Sequence, residues 1–408
     1  MTTQPLIRRF LLARFLSTLA DQFLLFAVPL IIFKATGSAK LSGLAFAIEW
    51  LPRVVSLPLA GLLADQLGSR RIFLLADSFR AVACLAGFGW IAWAGSSHLF
   101  LALSLMSAAV AFFYAQGFIA LEASLPRVFP VGDLPKVQSW LQGIEQVSSI
   151  GGPLVSSFLV IWVKSENLIL IAALLFSVSF LANLGLPSLN SSTSPNLKKS
   201  ISADFKVAWG HIVGLPGLKM LIAYTVLVNL MYGLARALSV PMTAGTFGLS
   251  DHYYGVLIAS SGGVTLLFLS FVPWLVKKMP FRWFGFGAFS LLAFSSFTSA
   301  IPVFSVFALS FAILHGADAL FNVYIRTQRA KVIPREDMGK TIGFIVCMNQ
   351  LSVPLSGLFI AFWPKTLGSQ NLILFVSTIA VGLSALIWFF SSRRSESGSS
   401  ASIAGQSA

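Results

Sequence analysis

Charge is scarce in this sequence. Only 10% of its 408 residues are Asp, Glu, Lys or Arg, against about 25% in an ordinary soluble domain. That excludes a soluble enzyme of this length, which would need a far more polar surface. With 56% hydrophobic residues the chain is not a disordered protein either. Cysteine is scarcer still. Cys84 and Cys347 are the two cysteines; both sit in apolar stretches, which excludes a disulfide scaffold and gives no zinc or redox spacing. They read as small hydrophobes. No nucleophile–base set, phosphate loop or metal-ligand cluster is present, so neither an enzyme, a cofactor nor a bound metal is expected. Acidic residues are half as many as basic ones, 14 against 28, for a net charge of +14. No stretch combines basic clustering with exposed stacking aromatics, so nucleic acid is not the expected partner. Basic loops held on the cytoplasmic side of a membrane account for the excess.

What the chain has is long apolar blocks separated by short polar gaps. They fall near 10–33, 41–64, 72–94, 98–121, 139–163, 167–187, 217–241, 254–276, 283–300, 302–325, 341–363 and 368–390. Blocks of about 20 apolar residues are the length of a membrane-spanning helix, and open sheets cannot span lipid. The expected fold is therefore an all-α integral membrane protein with twelve transmembrane helices. The longest polar interruption, rich in Ser, Asn, Thr and Lys, lies midway. It sets the expected organisation: a six-helix bundle over 1–189, a cytoplasmic linker over 190–210, a second six-helix bundle over 211–390, and a disordered cytoplasmic tail over 391–408. Arg8-Arg9-Phe10-Leu11 looks like a twin-arginine export signal, but the apolar run continues to Phe33 and carries Asp21, as in a retained first span.

Basic residues orient these spans. With a cytoplasmic N-terminus, nineteen of the 28 Lys and Arg fall in cytoplasmic segments, including Arg8, Arg9, Arg70, Arg71, Lys277 and Lys278. Four fall outside: Lys34, Lys40, Lys164 and Lys365. That asymmetry predicts both termini inside. The halves are also related. Residues 127–136 (RVFPVGDLPK) and 331–340 (KVIPREDMGK) share the pattern [RK]-V-[FI]-P-x-x-D-[LM]-x-K at equivalent loops, 204 residues apart. Two parallel pseudo-repeats around an axis along the membrane normal describe a rocking transporter.

The loop after the second block reads Gly61-Leu62-Leu63-Ala64-Asp65-Gln66-Leu67-Gly68-Ser69-Arg70-Arg71. It resembles the signature of the major facilitator superfamily, with Gln66 and Ser69 each standing where the family has arginine. The resemblance implies a gating latch of Gly61, Asp65, Gly68, Arg70 and Arg71 against span eleven. It also implies a monomer, placed in the bacterial inner (plasma) membrane as a multi-pass protein. Gly152-Pro153 in span five, followed by Ser156 and Ser157, is similar to a gating element of the exporter branch. Ala20-Asp21-Gln22 and Ile144-Glu145-Gln146-Val147-Ser148-Ser149-Ile150 resemble segments of the ferroportin iron-exporter branch. That resemblance implies a first-span metal-binding Asp at Asp21. However, Leu25 and Ser356 stand at its histidine positions, and their loss removes the imidazole ligands a transition metal needs.

Charges inside spans usually face a cavity or a partner. Arg14, Ser17, Thr18 and Asp21 share a face of span one by their spacing. Glu49 and Arg53 are four apart on span two, where they can pair. Asp21 and Arg53 lie 11 residues from the cytoplasmic ends of their blocks, so Arg53 can bridge to either acid. Gln142, Glu145 and Ser149 share a face of span five. Asn229, Tyr232 and Arg236 mark span seven, and His315 and Asp318 mark span ten. The expected roles are proton coupling at Asp21 and Glu145, and substrate contact at Asn229 and Arg236. Glu49–Arg53 and Asp77–Arg80 read as structural pairs. The leading expectation is proton-coupled efflux of a small amphipathic organic molecule, such as a drug-like compound or a siderophore. The alternatives are a ferroportin-like divalent metal exporter and, less favoured, a membrane sensor without transport.

Overall fold

The apolar blocks fold as long helices. The computed structural model describes residues 4–57, 59–60, 63, 69–128, 134–184, 201–215, 217–334 and 337–404. Side chains are described except at 4–7, 69–70, 96–97, 122–128, 134–136, 138, 201–205, 338–340 and 388–404. The first half contains α1 (Gln4–Thr36), α2 (Ala39–Val55), α3 (Ser69–Ala94), α4 (Leu99–Val128), α5 (Leu134–Trp162) and α6 (Asn167–Leu184). After α7 (Ile201–Gly214) come α8 (Leu218–Val240), α9 (Asp251–Lys278), α10 (Phe281–Thr298), α11 (Phe304–Val332), α12 (Met338–Gln350), α13 (Ser352–Phe362) and α14 (Gly368–Ala404). Among the described residues, ten helical segments are long and apolar enough to cross a membrane. The α2 and α10 segments, expected as spans, are not in that set.

Among the described residues the two largest apolar cores lie mainly one in each half, though Phe46 joins the second and Val240 and Tyr254 the first. Phe26, Leu30, Leu103, Leu168 and Phe176 pack the first, and Met231, Phe307, Phe311, Leu314 and Val376 the second. Around them the outer faces stay apolar and uncovered. Trp93 and Trp162, at the ends of α3 and α5, are 87% and 76% exposed. Exposure of large apolar side chains on this scale fits lipid rather than water as the surrounding medium.

Within the expected linker over 190–210, α7 begins at Ile201. Its Ala208 and Ile212, one turn apart, are buried, while Val207, Trp209 and Val213 are exposed. That amphipathic pattern docks one helix face on the bundle. His211 Nε2 lies 2.8 Å from Asp337 Oδ2 and ties α7 to the segment before α12. The tail over 391–408 is helical as far as Ala404; no proline interrupts it, so the helix continues from the apolar span. Span eleven, expected as one helix, divides at Leu351 into α12 and α13. Pro354 has no N–H to offer the Gln350 carbonyl, and the ladder breaks there.

Candidate functional site

Asp21 lies where the middle of α1 faces α3. Its two carboxylate oxygens each accept from Arg80 Nη1 at 2.9 Å, and both side chains are almost completely buried. The same guanidinium donates from Nη2 to Asp77 and to Ser17. Asp77 in turn accepts from Ser179 at 2.6 Å and from Ser17 at 3.2 Å. The Arg80 guanidinium carbon sits 4.2 Å from the centre of the Phe176 ring. One arginine thus joins α1, α3 and α6 through two acids and two hydroxyls. The Asp77–Arg80 pair expected from spacing is present. The expected bridge from Arg53 to Asp21 is not, because Arg80 occupies both oxygens.

A cavity of about 230 Å³ opens beside this network, lined by Thr18, Asp21, Gln22, Leu25, Arg53, Tyr114, Glu145, Gln146 and Ser149. Glu145 Oε1 accepts from Arg14 Nη2 at 3.0 Å, and the Glu145 side chain remains one-third exposed. Gln142, expected on the same face, is exposed, and Gln146 takes its place. The departure from the expected stripe is one helical turn on α5.

A smaller recess continues from this cavity past Asp21, Leu25 and Arg53 to Glu49, Ser107, Val110 and Ala111. Glu49 and Arg53 make no ion pair among the described residues, so the expected intrahelical bridge is absent. Arg53 lies instead against aromatic faces, 4.1 Å from the Tyr114 ring centre and 4.8 Å from that of Trp50. Glu49 lies within electrostatic reach of Arg53 and, from the other half, of Arg236.

The expected residues of the second half gather around α8 and α11. Arg236 Nη1 donates to the Tyr232 hydroxyl at 3.4 Å. The Tyr232 ring lies 4.8 Å from the His315 ring, whose Nδ1 is 2.8 Å from the Phe311 carbonyl. Asn322 donates to Asp318 Oδ2 at 3.0 Å, while Asp318 Oδ1 is buried and unpartnered among the described residues. Asn229 donates to the Asn349 carbonyl at 3.1 Å. None of these residues lines the two cavities above; Arg236 approaches them only through its charge on Glu49.

The halves meet closely where α1 ends and α9 begins. Lys34 Nζ lies 2.8 Å from Asp251 Oδ2. Below it Phe26 stacks on Tyr254, with ring centres 4.9 Å apart. A Cβ on Gly43 of α2 would sit 2.7 Å from the Gly357 carbonyl oxygen of α13. A Cβ on Gly255 of α9 would overlap the Ser157 side chain of α5. Glycine is required at both crossings because the backbones approach too closely for any side chain. Gly152 is also a close crossing, but within the first half, against Gln22 of α1, and Pro153 beside it is buried. Of the expected latch, Gly61, Asp65 and Gly68 lie outside the described residues, as does the Arg70 side chain; Arg71 is exposed.

Sequence reasoning missed the partners more than the acids. Arg80 was legible as a rare charge within an apolar block, but its reach across to α1 was not. Arg14 was placed on the Asp21 face, and it serves Glu145 instead. Trp50 and Tyr114 carried no signal beyond being aromatic, since 13% of the chain is.

Comparison with known proteins places this geometry. The family model for the Major Facilitator Superfamily matches residues 10–240. The multidrug efflux pump Tap of Mycobacterium tuberculosis is 24% identical over 374 residues, covering 86% of this chain and 85% of that protein. Among solved structures, a bacterial homologue of the iron transporter ferroportin in the inward-facing state superposes with a TM-score of 0.75 at 17% identity, covering 96% of this chain and 100% of the other. A mutant of the nucleoside transporter NupG also superposes with a TM-score of 0.75, at 16% identity, covering 94% and 99%.

Proposed function

The chain belongs to the Major Facilitator Superfamily of secondary transporters, and from that premise we propose that it exports a small amphipathic organic molecule, a drug-like compound or siderophore, in exchange for protons. The observation that carries this reading is the cavity among α1, α2, α4 and α5, which sets two carboxylates, Asp21 and Glu145, in a mostly polar lining with Leu25 and Tyr114 as its apolar and aromatic parts. A substrate of mixed character fits such a lining. A carboxylate that takes up a proton in one state and releases it in the other biases the equilibrium between the two, because a ligand shifts states only through differential affinity. The efflux function of Tap supports the outward direction.

In this reading the chain has twelve spans, with α12 and α13 making one. The bundles over 1–189 and 211–390 rock against each other. Both termini are cytoplasmic, by the distribution of Lys and Arg. The tight contact at Lys34 and Asp251 is then the external end, closed, and the state is inward-facing. Asp65, Arg70 and Arg71 form a cytoplasmic latch that holds the opposite state. The protein works as a monomer in the plasma membrane.

Metal export is the second reading, favoured by the likeness to the ferroportin homologue in fold. Against it, Leu25 lines the cavity beside Asp21, and an aliphatic side chain offers a metal no ligand. The deciding experiment is transport in proteoliposomes under an imposed pH gradient, with ethidium as an organic test solute and Mn²⁺ as a metal one. Gradient-driven ethidium movement supports proton-coupled organic export. Movement of Mn²⁺ alone overturns it in favour of metal export, and movement of neither of these solutes nor of 1-naphthaleneacetate under the gradient overturns proton-coupled export.

A further inference from the structure

The buried charges of the first half are almost all matched. Asp21 and Asp77 share Arg80. Glu145 takes Arg14. Glu49 lies in the field of Arg53 and, less strongly, of Arg236 from the other half, with an ion pair to neither. Arg53 is the cation left over. Among the described residues its guanidinium makes neither a hydrogen bond nor an ion pair, and its Nε is buried without a partner. Yet it lines both the cavity and the recess.

Its surroundings explain how it is held without an acid. The Tyr114 and Trp50 rings lie against the guanidinium at 4.1 and 4.8 Å. Aromatic faces attract a cation through their quadrupole and make no use of its N–H groups. The N–H groups lie in the plane of the guanidinium, and their fork matches a carboxylate. A buried donor without an acceptor, as Nε is here, is costly unless a ligand completes it. The apolar side of the recess, Leu24, Leu25, Val110 and Ala111, provides a dry wall for the body attached to such a group. Asp21 and Glu49 stand nearby, and their charge opposes any anion, a dianion more than a monoanion.

We propose that Arg53, backed by Tyr114 and Trp50, is the docking point for the carboxylate of a singly charged amphipathic organic acid. This rests on the export reading for the site and adds the substrate's chemical class.

The test uses the full chain in lipid nanodiscs and three probes of one shape: 1-naphthaleneacetate, its neutral amide, and the cationic 1-naphthylmethylammonium. Calorimetric titration is expected to give the acetate at least about tenfold tighter binding than the amide, the size of one charge-assisted fork. Arg53→Gln removes that preference, so that acetate and amide bind alike. Arg53→Lys, which keeps the charge and loses the planar fork, falls between. Equal binding of acetate and amide by the unaltered chain overturns the proposal, as does preference for the cation. Both outcomes are read without any variant, so a misfolded Arg53→Gln does not protect the idea. A preference for the acetate that survives Arg53→Gln in folded protein overturns it too. Transport separates the two readings. Acetate preference with no movement of acetate or ethidium in proteoliposomes upholds the Arg53 assignment and removes the export reading. Ethidium transport with no acetate preference does the reverse.

Discussion

Arg80 holds Asp21 through one nitrogen placed 2.9 Å from each carboxylate oxygen, in a site with almost no exposure. Proton binding at Asp21 must therefore loosen a salt bridge, and Asp77 is positioned to keep Arg80 satisfied when it does. Asp21→Asn is expected to abolish uphill transport. It should also lower stability by about 2–3 kcal/mol, below the ~3–5 kcal/mol for orphaning a buried ion, because Asp77 remains. Asp77→Asn should cost a similar amount, and the double variant much more than the sum, since Arg80 then has no acid. Thermal melting of the four proteins in lipid checks the cycle. Additive losses would show that the two acids do not share Arg80.

Glu145 separates coupling from stability more cleanly. Its side chain is one-third exposed and only one oxygen is held, by Arg14. Its partner Arg14 is buried, so losing the Glu145 charge costs more than an exposed pair would, but the amide oxygen of Glu145→Gln still accepts from Arg14. Glu145→Gln is thus expected to fold with a lowered melting temperature, while losing gradient-driven transport and keeping substrate counterflow. A variant that retains uphill transport removes Glu145 from the coupling step.

How much of this was visible in the sequence follows from the kind of interaction involved. The helices were legible because lipid demands about 20 apolar residues per crossing, and α1, α4 and α9 lie close to the expected blocks. The acids at Asp21, Glu49 and Glu145 were legible because a charge inside such a block is rare. Their partners were not. Equal depth pointed to Arg53 for Asp21, yet depth carries no information about which helices are neighbours. Here α6 packs against both α1 and α3, and Arg80 crosses beside it. Spacing of four residues pointed to Glu49–Arg53, but Tyr114 on α4 offers the guanidinium a face that no local rule contains. The break at Leu351 was legible in principle, since Pro354 is printed in the sequence.

The Lys34–Asp251 pair joins the halves at one end only by a surface contact. Lys34 is half exposed, so the pair is worth less than about 1 kcal/mol and screens with salt. That energy corresponds to at most about a fivefold bias between states. Lys34→Asp is expected to raise the labelling of a cysteine placed at position 252 by about that factor. Lys34→Asp with Asp251→Lys should restore the original rate. Labelling from the extracellular side also checks the orientation, since the residue must be reached there and not from the cytoplasm.

The glycine crossings are the stronger determinant of the closed end. Gly43 meets the Gly357 carbonyl oxygen and Ile360, and Gly255 meets Ser157; each crossing joins a helix of one half to a helix of the other. Gly255→Val places its added carbons where Ser157 stands, and backbone on both sides leaves no room to yield. Packed interfaces of this kind are bistable rather than elastic, so the contact opens instead of stretching. The expected result is a protein that folds, because most of each core lies within its own half, but that cannot close this end. Cysteine labelling at position 252 should rise by about tenfold or more, exceeding the effect of Lys34→Asp, because overpacking costs about 1–3 kcal/mol. Ser157→Gly in the same chain removes the obstructing side chain and should return labelling and transport part of the way. Rescue by Ser157→Gly would identify the crossing itself as the cause, whereas unchanged labelling in Gly255→Val would show that the two halves do not close through α5 and α9.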